Sequence, residues 1–408
     1  MPVEPLHRHQ SSLEGILDFS ARPPLDPAQR QAADQRFTEL IKRFDQPPME
    51  GEDVKYDRVK LVQLTYQYSL SDESKGAFLR AFFESIGTPI SEDFNTAEIN
   101  LPNTAEINSP NTDEINLPNT ALRSSIFSFA DYLFENFFMP LKASTRKTPQ
   151  PTPGSQSAVL ALQQGAVTFL GTPERVSALR GACLIRDRHR CVITRRFDIE
   201  QVKRQQKASQ ELQDDDGNSL AGHTRFSNLE VAHIIPHSLT RLNANSELDP
   251  SKVAALAILN MFDVGAAFLI EGINIDRPGN ALTLTPNMHY HFGAFDIYFE
   301  PVEGQNHTYY IRSFLIDGLI DDIPTTRTLF LAESRTIDPP SPRLLAIHRA
   351  IGHILHLSGA GGYIDDIIRD YEELHAKEDG STQLDLLVKL KLQLQGDQAG
   401  QGAIRSAS

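Results

Sequence analysis

Two stretches decide how the centre of this 408-residue chain is read: LEVAHIIPHS, from Leu229 to Ser238, and IDRPGNALTLTPNMHYHFGAF, from Ile275 to Phe295. LEVAHIIP alternates briefly and stops on Pro236, as a strand leaving a sheet does. NALTLT repeats the strand-like character, opened by Asn280, and Pro286 suits the first turn of a helix carrying His289. The local order is strand, strand, helix. His233, Asn280 and His289 are the polar residues that this order singles out.

Working outward, PERVSALRGACLIRDRHR (173–190) has a helical pattern and runs into CVIT (191–194), a short β-branched stretch suited to a strand. Lys203 to Asn228 is polar and reads as an insertion. Between Arg180 and Lys207 the chain carries nine Lys or Arg against three acids, Asp187, Asp198 and Glu200. The whole chain has a net charge of -14 and a pI near 5.4, so any contact with a polyanion must rest on a local patch of this kind. A solvated surface explains such a run equally well.

Hydrophobic residues at 40% and charged residues at 23% exclude wholesale disorder, and 408 residues are enough for two or three domains. The two cysteines, Cys183 and Cys191, have a spacing that fits neither a zinc CxxC pair nor a disulfide framework, and read as buried thiols. No signal peptide or run of eighteen apolar residues is visible, which leads to the expectation of a soluble intracellular protein of cytoplasm or nucleus, with no membrane partner.

Helices are expected within residues 1–94: one from Asp26 and Pro27, one through VKYDRVKLVQLTYQYSL and one in KGAFLRAFFESIG. Residues 95–120 hold three copies of an octapeptide (NTAEINLP, NTAEINSP, NTDEINLP) and read as a linker, because a polar period this short cannot build a core. A Phe- and Leu-rich helix within 121–142 should pack on the N-terminal region, followed by a Pro-rich flexible linker over 143–158. The central module is placed at 159–300. Strands in FDIYFEP, HTYYIRSFLIDG and TRTLFLAES, then helices over Arg343–Leu357, Tyr363–Lys377 and LDLLVKLKLQLQ, should complete it over 301–395, before a disordered tail at 396–408.

Four pieces in this order, RCVIT (190–194), AHIIPHS (232–238), IDRPGNALTL (275–284) and HYHF (289–292), resemble the HNH endonucleases of the ββα-metal fold, especially the HNH-domain proteins abundant in filamentous fungi. The specific part is the spacing of nine from Asn280 to His289, with Phe292 three further on. The resemblance implies an α+β protein: a ββα-metal nuclease core with flanking strands and helices, preceded by an α-helical region. It implies a hydrolase of phosphodiester bonds in nucleic acid, DNA being the expected substrate, with one divalent cation (Mg²⁺, Mn²⁺ or Zn²⁺). That chemistry needs a base for water, a cation for developing charge and a positioner. By the resemblance these are His233, His289 as metal ligand and Asn280.

Many members of that family place Asp or His before the base as a second metal ligand, where this chain has Ala232. Residues 230 and 232 share a strand face, so Glu230 is one candidate substitute, and Asp276 is another. If neither serves, the scaffold would be a binding module for nucleic acid or protein without cleavage. Arg186, Arg188, Arg190, Arg195, Arg196, Lys203 and Arg204 are the expected phosphate contacts. His237 and His291 are poorer ligand candidates from their spacing. His348, His353 and His356 are read as an ordinary face of an apolar helix without an acidic partner.

Overall fold

The computed structural model describes residues 24–45, 55–88, 112–145, 172–220, 222, 225–236, 250–270, 272–321, 323–331 and 337–373. Helix α1 spans Pro27–Phe44, α2 Arg58–Gln67 and α3 Asp72–Ser85. Each starts where its sequence offers a cap. Asp26 Oδ1 accepts from Gln29 N at 2.9 Å while Gln29 Oε1 accepts from Asp26 N, and Pro27 occupies the first turn, where its missing N–H costs nothing. Asp57 and Ser71 cap α2 and α3 in the same way.

Helix α4 covers Thr112–Leu133, then a π turn at Phe134–Phe138 leads into α5, Met139–Thr145. The linker expected over 95–120 is therefore helical from Thr112 onward, where Thr-Asp-Glu supplies a helix-start sequence; 95–111 lies outside the described residues. The single helix expected through Leu141 is interrupted by the π turn. Phe134, Phe137 and Phe138 are all buried, at the i, i+3, i+4 spacing of one helical face.

Helix α6 is Thr172–Arg186, followed by a tight turn, the two-residue strand β1 (Phe197–Asp198) and α7 (Ile199–Lys207). CVIT does not form the expected strand. Val192–Thr194 turn, Cys191 and Arg195 close the turn onto Arg196 and Cys191 carbonyls, and only Val192 N reaches the sheet, at Thr283 O. Its β-branched residues report burial, since Val192 and Ile193 are fully enclosed. The described residues of the polar stretch read as an insertion form the C-terminal half of α7 and a small hairpin turn whose Leu220 packs with Phe197 and Val202.

Strand β2 (Phe226–Ser227) pairs parallel with β1, and β3 (Glu230–His233) pairs antiparallel with β4 (Ala281–Leu284). Between β3 and β4 lie α8 (Pro250–Phe262) and α9 (Ala266–Leu269). Thr285 caps α10 (Pro286–Gly293), so β4 passes into that helix with no loop between. An antiparallel sheet of β5 (Ile297–Pro301), β6 (Thr308–Ser313) and β7 (Thr326–Thr328) follows, then α11 (Pro342–Leu357) and α12 (Ala360–Glu373). Gly359, at φ +76, makes the sharp turn between the last two, so α12 begins at Ala360 rather than Tyr363. The expected last helix and the tail lie outside the described residues.

One hydrophobic core runs from Phe37 in α1 through Phe262 in α8 to Ile364 in α12. Helix α8, apolar on nearly every side, is where the N-terminal helices meet the remainder. Ser69 Oγ donates to Met261 O at 2.7 Å, Leu70 N donates to Phe262 O at 2.7 Å, and Phe137 stacks on Phe262 at 5.5 Å. The Lys142 ammonium, buried on α5, donates to Asp365 on α12 at 2.8 Å.

Candidate active site

Asn280 is 1% exposed at the entry to β4. Its Oδ1 accepts from Ile235 N at 2.9 Å, and its Nδ2 donates to Ile235 O at 2.9 Å and Ile275 O at 3.0 Å. Its own carbonyl accepts from Ile234 N. The side chain thus ties the chain leaving β3 to the chain entering β4. It fixes the backbone that carries His233 and does not touch the imidazole.

His233 is the last residue of β3, opposite Ala281 in the register. Its Nε2 lies 3.2 Å from Oδ1 of Asp276, whose side chain is almost fully enclosed. A carboxylate only accepts, so Nε2 carries the hydrogen and Nδ1 the lone pair. Asp276 arrives through a 3₁₀ turn, Gly272–Asp276. The sequence put it forward as a metal ligand; the structure brings it to the His233 ring.

His289, one turn into α10, has Nδ1 2.7 Å from Oε2 of Glu230 at the start of β3. Strand alternation puts Glu230 and Ala232 on one face, and Glu230 is long enough to reach the helix that packs there. With Nδ1–H donated to Glu230, Nε2 of His289 is the ring atom with a lone pair. His291 turns elsewhere, with Nδ1 2.9 Å from Asp296 Oδ2. His237 lies outside the described residues.

The chemistry of these donors, imidazole nitrogen and carboxylate oxygen, suits a divalent cation that completes its shell with water and substrate oxygens. Two pairs are present, His289 with Glu230 and His233 with Asp276. Among the described residues, no three His, Cys, Asp or Glu converge on one point. The fit is that of a single imidazole donor, Nε2 of His289, with Glu230 behind the ring on Nδ1.

The basic residues divide sharply. Arg186 is unavailable to any ligand, which corrects the role expected for it. Its side chain is fully buried, paired with Asp187 at 2.8 Å, and donates to the carbonyls of Pro278 and Ala281. Burial alone would lower its pKa; the adjoining Asp187 carboxylate reverses this, and the net direction is upward. Arg188 forks onto Asp216 at 2.6 and 2.8 Å, His189 Nδ1 lies 2.8 Å from Asp215, and Arg190 pairs with Asp214 at 3.0 Å. Three successive residues of one turn thus meet three successive acids of another, in antiparallel order. Lys203 pairs with Glu200 within α7. The run counted as nine cations against three acids is partly neutralised from outside itself.

Arg196 lines a cleft of about 290 Å³ with Thr194, Ser227, Thr285, Asn287 and Asp321, at the N-terminus of α10. Neither His233 nor His289 lines it. The histidines of α11 serve packing. His348 is sandwiched between Phe292 and Phe295, and burial pushes it down to about 3. His356 stacks on Phe314, and His353 lies among Tyr68, Tyr298 and Phe314. Cys183 is buried, its thiol pushed up to about 12 by desolvation.

Strands β3 and β4 run straight into helix α10, with His233 at the end of the first strand and His289 in the helix. Residues 191–300, about a quarter of the chain, match the family model of the HNH endonucleases. No curated protein and no solved structure gives a significant match. No helix among the described residues is long and apolar enough to cross a membrane.

Proposed function

We propose that this chain is a metal-dependent HNH-type endonuclease, with DNA as substrate, in which β3, β4 and α10 are the ββα-metal core. The observation that carries the reading is the pairing of each histidine with its own carboxylate on adjoining elements of one unit: His233 with Asp276, His289 with Glu230. His233 takes a proton from the attacking water as its oxygen bonds to phosphorus, and the bond to the leaving sugar oxygen breaks. Asp276 holds the ring tautomer and orientation, as a carboxylate behind a catalytic imidazole does. Asn280 holds the loop after β3 in register.

His289 would hold the cation through Nε2, and the cation would supply Lewis-acid stabilisation of charge on the phosphate and the leaving oxygen. Glu230 orients the His289 ring, an outer contact whose loss typically lowers metal affinity about 10- to 100-fold. Arg196, half-buried in the cleft, and the exposed Lys203 and Arg204 would draw in the phosphate backbone.

Ala232 favours a second reading, a module that binds nucleic acid without cutting it. Supercoiled plasmid incubated with the purified protein and Mg²⁺, Mn²⁺ or Zn²⁺ separates the two. Nicking is expected, abolished by chelator and by His233→Ala. Folded protein that binds plasmid yet leaves it intact under every metal would establish the binding module instead.

A further inference from the structure

Strand β7 lies beyond the segment matched by the HNH family, yet it brings a second arginine against the turn that follows Cys191. Arg195, at φ +61, donates from Nη2 to the carbonyl of Thr328, and Arg327 donates from Nε to the carbonyl of Ile193. Each guanidinium braces the backbone beside the other arginine. The Arg195 guanidinium carbon sits 3.8 Å from the centre of the Phe330 ring, and its Nη1 is buried with no hydrogen-bond partner.

The surrounding arginines are matched to acids: Arg186 to Asp187, Arg188 to Asp216, Arg190 to Asp214. Among the described residues neither Arg195 nor Arg327 is in an ion pair with a carboxylate. Burial, and then the neighbouring Arg327, pull Arg195 down to about 10; burial lowers Arg327 as well. Two partly desolvated like charges held together are unfavourable until an anion lies between them. A planar fork with spare donors matches the oxygens of a phosphate.

We propose that Arg195 and Arg327, with Phe330 as the backing for Arg195, form a subsite for a backbone phosphate of a nucleic-acid strand. The assignment rests on the nucleic-acid reading above. Arg196, the next residue, lines the cleft at the start of α10, so a strand in that cleft carries its flanking phosphates past the pair.

Two measurements on the full chain test it. The first is anisotropy of a short labelled DNA duplex in chelator, over a series of salt concentrations. Arg327→Gln should weaken binding about tenfold and flatten the log–log salt slope by about 0.9. Arg327→Lys should keep the slope and recover part of the affinity. The second is thermal melting in inorganic phosphate against chloride at matched ionic strength. Phosphate should raise the melting temperature of the wild type, and Arg327→Gln should abolish the rise.

Folded Arg327→Gln with wild-type affinity and slope overturns the subsite. So does a wild-type melting temperature indifferent to phosphate, which decides the matter even where the variant fails to fold. Phosphate stabilisation that needs Arg327, in a protein that binds no duplex, would keep the anion site and remove the nucleic-acid reading.

Discussion

Buried histidines on α11 and the histidines of β3 and α10 use the same side chain for opposite purposes. His348 Nε2 donates to Phe292 O and its ring is stacked on both faces, so protonation would place a charge between phenyl rings. Its folded pKa, about 3, lies below an unfolded value near 6.5. The unfolded state therefore binds the extra proton first, and the stabilisation present above about pH 6.5 is lost as pH falls toward 3. His353 and His356 shift the same way, burial being the main cause for each. Urea unfolding at pH 7.5 and 5.5 should show about 1.4 kcal/mol less stability at the lower pH from His348 alone. His348→Leu, whatever its overall cost, should lose that share of the pH dependence; an unchanged slope would mean the ring is not buried neutral. His233, Asn280 and His289 were legible as residues from the strand, strand, helix order and the spacing of nine between Asn280 and His289. Their partners were only half legible. Glu230 could be picked out from strand alternation, whereas Asp276 is brought to His233 by a 3₁₀ turn that no periodicity announces.

At the scale of elements, the turn carrying Asp214, Asp215 and Asp216 changes the meaning of the basic run. Asp214 Oδ1 accepts from the N–H groups of Asp216 and Asn218, so the turn is built on that side chain, while Asp215 and Asp216 are left to face His189 and Arg188. Nucleic acid that uses Arg188 must displace Asp216. Asp215→Asn with Asp216→Asn leaves the turn intact and should tighten duplex binding in chelator, with a salt slope steeper by about 0.9 for each additional phosphate neutralised. Equal slopes for variant and wild type would take Arg188 out of the binding surface. Charge counting along the sequence missed this because the neutralising acids lie 24 to 28 residues away. Helices α1 to α3 were readable for the contrary reason: caps and apolar spacing are local, and each helix carries both.

For the whole molecule, α8 decides the architecture. It sits between β3 and β4, inside the segment that matches the HNH family, and its other faces are covered by α2, α3 and the π turn at Phe134–Phe138. Leu256, Ile258, Leu259 and Phe262 are fully buried there. Removing residues 1–145 would expose several of these side chains, each worth about 1.5–3 kcal/mol when buried. The truncated chain should lose its cooperative thermal transition by circular dichroism and aggregate on gel filtration, while the full chain melts in one transition. A truncated protein that stays monomeric and melts cooperatively would make the helical region a separate domain.

The sequence by itself determined the strand, strand, helix order around His233, Asn280 and His289, the capped N-terminal helices and the resemblance to HNH nucleases, because each is written in short-range spacing. Only the tertiary structure decided that Asp276 stands behind His233, that Arg186 is a buried brace, that acids from a distant turn cover Arg188 and Arg190, and that Arg327 joins Arg195. These depend on which surfaces meet once the apolar faces are buried. Partners brought together by that burial are separated along the chain by whatever number of residues the loops happen to hold, so no local pattern records them.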